Sequence, residues 1–210
     1  MWCWGLVLRQ VVLFVCGGMH PLSYTGQVLS TIARDETLSR LSGVIGAPQY
    51  ALGTLSPFAL RQTLERGMAN RGLWNEGIAD TSAAAPPGLI IWAFSAGCVG
   101  AAALATYWQH YRGPVLALFM VDGWGVPRVP DLPVHRLSHD RTTHDTSGWL
   151  GAGDEDFYAD PAVPHLTLWQ HPQAVVGWTV AAGKPRERLT AADFLCLRSR
   201  ACIDRYCGHR

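Results

Sequence analysis

Continuous apolar runs alternate with stretches of helical period along this chain. Val11 to Val15, Leu89 to Phe94 and Pro114 to Val121 are short and apolar throughout, as strands buried on both faces are, while Leu41 to Ile45 is a weaker strand candidate and Pro133 to Leu137 a shorter one. Between them, Ser23 to Ala33 places Val28, Leu29 and Ile32 on one helical face, with Ser23 as its cap. Ser56 and Pro57 open a second helix that turns Phe58, Leu60, Leu64 and Met68 inward. Cys98 to Tyr111 is an Ala- and Gly-dense helix, and Thr190 caps a last one, Ala191 to about Tyr206. Asn75 to Gly88 reads as a surface excursion and Arg141 to Val163 as an aromatic loop. His165 to Trp169 reads as extended or turn-like, and Pro172 to Val180 as a short helix. Strand and helix in alternation predict one α/β domain over residues 1–210, a mainly parallel central sheet with helices on both faces.

Composition narrows the classes. Hydrophobic residues are 49% and charged ones 16% of 210, which excludes a disordered or coiled-coil chain. The net charge of +1 is too small for a dedicated nucleic-acid binder. Seven basic against three acidic residues from Lys184 to Arg210 make the tail basic, read here as a solvated helix face over about 190–206. Six cysteines without a CxxC pair suit reduced thiols in a cytoplasmic protein. Cys196, Cys202, Cys207 and His209 lack the spacing of a zinc knuckle. Arg9 and Gln10 interrupt the apolar N-terminus, so neither a membrane span nor an export signal is expected.

In an open parallel sheet, chemistry gathers at the carboxyl ends of the strands. There the sequence offers Gly17-Gly18-Met19-His20, then Ser95-Ala96-Gly97, then Asp122, then Asp140, with His165 later still. Ser95 is the sharpest of these. In Ala93-Phe94-Ser95-Ala96-Gly97 the residues two before and two after the serine are tiny, as a strained strand-to-helix turn demands. The turn also puts Ser95 at a helix N-terminus, where N–H groups favour a developing anion.

This strand, Ala-Phe-Ser-Ala-Gly turn and helix resemble the nucleophile elbow of the α/β-hydrolase superfamily, with Ala93 in place of the commoner first glycine. The strand ending in Cys16-Gly17-Gly18 is similar to the family's His-Gly oxyanion turn, with Cys16 where the His usually stands. The resemblance spans roughly residues 10 to 180, in a short form without the opening antiparallel strands and without a lid domain. It implies a serine hydrolase of carboxylic esters or thioesters, with no cofactor and a small-molecule substrate. Ser95 would be the nucleophile and His165 the base, with His171 the next choice. Backbone N–H groups of Ala96 and of Gly18 or Met19 would hold the oxyanion. Asp140, after the last expected strand, is the preferred acid, and Asp122, one strand from the nucleophile, is the alternative.

Two rival readings stand beside this one. His135, His139, Asp140, His144 and Asp145 supply five metal-ligand groups in eleven residues, but His135 lies within a strand and Arg136 and Arg141 bring positive charge, so no metal is expected. A hydrolase-like fold serving only as a binding or scaffold module is the alternative function. Trp124, Trp149 and Trp169 fall near the site segments and would suit an acyl or aryl group.

Overall fold

The computed structural model describes residues 11–47, 53–73 and 86–208. Eight strands form one sheet: β1 (Val11–Cys16), β2 (Gly43–Gly46), β3 (Gly88–Phe94), β4 (Val115–Val121), β5 (Val134–Ser138), β6 (Asp156–Ala159), β7 (Val176–Val180) and β8 (Arg188–Thr190). Their order is β2-β1-β3-β4-β5-β6-β7-β8. All neighbours from β2 to β6 are parallel, and β7 and β8 add antiparallel at one edge. The helices are α1 (Leu22–Arg34), α2 (Pro57–Ala69), α3 (Gly97–Tyr111), α4 (Arg141–Gly148), α5 (His165–Gln170) and α6 (Ala191–Gly208). This is the expected α/β class.

Strand periodicity divides the core in two, because successive side chains leave the sheet on opposite faces. Val11, Leu13 and Val15 join Ile90, Trp92, Phe94 and Phe119 beneath α1 and α6 residues such as Ile32, Phe194 and Ile203. Val12, Phe14, Ile91 and Leu118 meet Leu64 and Met68 of α2 and Leu104 and Trp108 of α3. Every residue of β1 and β3 is buried, which is why neither run shows polar alternation. The buried indole of Trp92 donates to Ser199 Oγ at 3.0 Å and so ties α6 to the middle of the sheet. The basic tail is a helix whose arginines find partners: Arg198 lies 2.6 Å from Glu155 and Arg200 3.0 Å from Asp35.

Several local expectations change. Ser56 accepts from the Ala59 N–H, and Thr190 Oγ1 accepts from the Asp193 N–H, both as expected of caps. Ser23 does not cap α1, whose N-cap is Pro21. Phe58 points outward with 58% exposure rather than into the core. Residues 141–163 contain α4 and β6. His165 to Gln170 is helical, and Val176 to Val180 is a strand. That strand alternates half-buried and buried positions between β6 and β8, the signature of an antiparallel strand with one face partly open rather than a helix. Most of the excursion from Asn75 to Gly88 lies outside the described residues.

Close approach between the ends of β1 and β3 fixes one glycine. A Cβ on Gly97 would collide with the Gly17 carbonyl oxygen. Gly97→Ala should therefore destabilise the fold by about 1–3 kcal/mol in urea unfolding, the usual cost of overpacking. Gly26, exposed on α1 with nothing within 4 Å of an added Cβ, should instead gain roughly 0.5–1 kcal/mol as Gly26→Ala. Equal effects at the two positions would contradict this packing.

Candidate active site

Strand order reverses at β1, which lies between β2 and β3, so the carboxyl ends of β1 and β3 open the sheet's crevice. Ser95 stands there, in the turn between β3 and α3, with a left-handed φ of 51°. For a residue with a Cβ this costs of order 1–2 kcal/mol. The turn is held by two backbone bonds, Ser95 N–H to the Val121 oxygen at 2.8 Å and Cys98 N–H to the Ser95 oxygen at 3.0 Å. Ala93 is fully buried, and a Cβ on Gly18 would come within 3.0 Å of Ser95 Cβ and 2.9 Å of the Phe94 oxygen. Small residues at 17, 18, 93 and 97 thus let the loop after β1 pass directly against the serine.

His165 is the first residue of α5, and its Nε2 lies 3.0 Å from Ser95 Oγ. Its ring stacks on Phe94 at 4.8 Å between centroids, and Phe94 in turn stacks on buried Trp169 at 5.2 Å. Three stacked rings hold the imidazole over the serine. Its other nitrogen, Nδ1, lies 2.8 Å from Asp122 Oδ2. Asp122 follows β4 with a φ of 50°, and its side chain is only 2% exposed. The next residue must be glycine, because a Cβ on Gly123 would sit 2.9 Å from Cys98 Sγ.

Asp122, rather than Asp140, is the carboxylate that meets His165. Asp140 caps α4 and accepts from the Thr143 N–H at 2.6 Å. Burial works to raise its pKa, but the Thr143 bonds and the neighbouring His139 prevail and hold it below the ordinary value. A strand-end aspartate three residues before Thr143, on a segment that becomes a helix, is a cap first. His171 ends α5, exposed, with its N–H on the Thr167 oxygen. His20, on the loop after β1, has its ring beside Tyr24, Phe94 and Trp169, and burial lowers its pKa.

His139, met in the sequence only among possible metal ligands, stands at the site as well. Its backbone N–H donates to Asp122 Oδ1 at 2.9 Å, and its Nδ1 lies 3.1 and 3.0 Å from Asp122 Oδ1 and Oδ2. Its position immediately after β5 was the available signal. The five-residue metal-ligand run does not converge: His135 Nδ1 bonds the Glu155 carbonyl and His144 stacks on Tyr158. Asp122, His139 and His165 do bring ligand atoms within 4.8 Å of one another, but hydrogen bonds to one carboxylate already account for that cluster.

The serine opens on a cleft of about 380 Å³. Val99, Trp124 and Val126 form its apolar side, and Thr143 and His139 its polar one. Trp124 is 68% exposed at this rim, whereas Trp169 is core and Trp149, at the end of α4, is exposed. Among the described residues, no helix is long and apolar enough to cross a membrane.

Known proteins add little to this geometry. No family model matches the chain, and no curated protein is similar to it. Among solved structures, the chain is similar to a "putative yden-like hydrolase" from Pectobacterium atrosepticum, at 12% identity and a TM-score of 0.41, covering 69% of this chain and 75% of that one.

The hydrogen bonds make a prediction of their own. In Asp122→Asn the downfield imidazole proton of His165 should vanish from the NMR spectrum, whereas Asp140→Asn should leave it in place. Asp140→Ala should cost about 1 kcal/mol in urea unfolding through the lost cap. A His165 signal that responds to Asp140→Asn and ignores Asp122→Asn would reverse the assignment.

Proposed function

We propose that the protein is a serine hydrolase acting on a carboxylic ester or thioester, with Ser95, His165 and Asp122 as its triad. The observation that carries this reading is the unbroken line Ser95 Oγ, His165 Nε2, His165 Nδ1, Asp122 Oδ2, with separations of 3.0 and 2.8 Å at its two hydrogen bonds. Geometry of this kind defines the triad irrespective of sequence order.

Ser95 Oγ forms a bond to the substrate carbonyl carbon as its proton passes to His165 Nε2. Asp122 keeps the imidazole in the tautomer that can accept this proton, and stabilises the imidazolium that results. Backbone N–H groups of Ala96 and of Gly18 or Met19 are assigned to the oxyanion, each worth about 3 kcal/mol. As the intermediate collapses, the proton moves from His165 to the departing alcohol or thiol. Water then attacks the acyl group on Ser95 by the same route and regenerates the serine. The strained φ at Ser95 and the glycine loop support this reading, because both place the hydroxyl at the mouth of a cleft with apolar walls.

Turnover of p-nitrophenyl esters tests it. Ser95→Ala should lose all but background activity with an unchanged melting temperature, and Asp122→Asn should lower kcat by about ten-thousand-fold. Hydrolysis that survives in Ser95→Ala would refute the proposal.

A further inference from the structure

A buried carboxylate in a serine triad needs donors besides its histidine, because each unpaired lone pair in a site closed to water is costly. Here a second imidazole supplies them. His139 gives Asp122 two donors, its backbone N–H to Oδ1 and its Nδ1–H shared between both oxygens at 3.0 and 3.1 Å. Its ring stands edge-on to that of His165, with 5.8 Å between centroids and an 80° angle. Its Nε2 lies 3.3 Å from Asp140 Oδ2. The strand end, the helix cap and the start of α5 thus form one line: Asp140, His139, Asp122, His165, Ser95.

We infer that His139 is a positioning residue that fixes the Asp122 carboxylate from the β5 side, so that His165 is oriented by a carboxylate with a single available pose. The inference rests on the hydrolase reading for its effect on turnover, but not for the pairing itself.

Charge follows from the same contacts. The hydrogen bond to Asp122 is the largest influence on His139 and raises its pKa above the ordinary imidazole value, burial opposing and the Asp122 and Asp140 charges adding to the rise. The titratable groups that face the ring are Asp122 at the end of β4, Asp140 at the cap of α4 and His165 at the start of α5. Asp160, after β6, is engaged by the Trp178 indole instead. The same contacts favour a proton on the His139 ring beside the carboxylate, which keeps its Nδ1–H donor to Asp122 in place. The pairing also favours the folded state below the unfolded imidazole value of about 6.5, a contribution lost as pH rises through the raised value of His139.

Two substitutions isolate the side-chain donor. Asparagine places its amide nitrogen near Nδ1, so His139→Asn keeps a side-chain donor to Asp122, whereas His139→Ala leaves only the backbone N–H. With p-nitrophenyl acetate, His139→Ala should lower kcat about tenfold with KM little changed. His139→Asn should recover most of that kcat. Histidine NMR titration in the Ser95→Ala background needs no turnover: the His139 midpoint should fall when Asp122→Asn is added. Wild-type kcat in both His139 variants would overturn the inference, as would a His139 midpoint indifferent to Asp122→Asn. Should His139→Ala fail to fold, His139→Asn and the titration still decide. Activity that persists in Ser95→Ala, with the His139 midpoint still dependent on Asp122, would instead fault the hydrolase reading alone.

Discussion

One buried carboxylate organises this end of the molecule. The Asp122 side chain is 2% exposed, and an anion so placed is tolerated only where several donors converge on it. The donors come from two separate elements: the backbone and ring of His139 after β5, and the ring of His165 at the start of α5. The sheet supplies the rest of the constraint. Ser95 N–H is bonded to the Val121 oxygen and Asp122 N–H to the Leu137 oxygen, so the three strand ends are locked in register beneath the site. β4, bonded on both sides, is the strand that holds the other two ends in place.

That dependence explains where strain sits. Ser95 and Asp122 both take left-handed backbone angles, 51° and 50°, at adjacent strand ends. Such conformations persist where the surroundings over-determine them. At Ser95 the surroundings are the Gly17–Gly18 loop and the tight start of α3, and at Asp122 they are the hydrogen bonds to its carboxylate and the contact of Gly123 with Cys98. Rigidity of this kind suits a site that must offer a hydroxyl, a base and N–H donors without rearranging. The stacked rings of His165, Phe94 and Trp169 extend the same rigidity into the core.

The parallel strands were legible because burial on both faces writes itself as an unbroken apolar run, as in Leu89 to Phe94. The tight turn at Ser95 was legible because its sterics admit only small residues around it. What failed to show lay in weaker signals. β7 and β8 are short, only partly buried strands, β8 at the sheet edge pairing on β7 and β7 on β6, and α5 spans just 6 residues. The carboxylate that meets His165 was harder still, because Asp122 and Asp140 both follow strands and differ only in what reaches them in space. A cap three residues ahead of Thr143 could have warned against Asp140. Nothing local could reveal that His139 and His165, 26 positions apart, close on one carboxylate.

The central claim is that Ser95 is a nucleophile activated by His165 and Asp122. Mass spectrometry of the protein after brief exposure to an aryl or alkyl fluorophosphonate at neutral pH tests it most directly. The account predicts a single phosphonyl adduct per chain, carried by the peptide that contains Ser95, and no adduct when the protein is first denatured. An unmodified chain, or label distributed over other serines and tyrosines with Ser95 untouched, would contradict it.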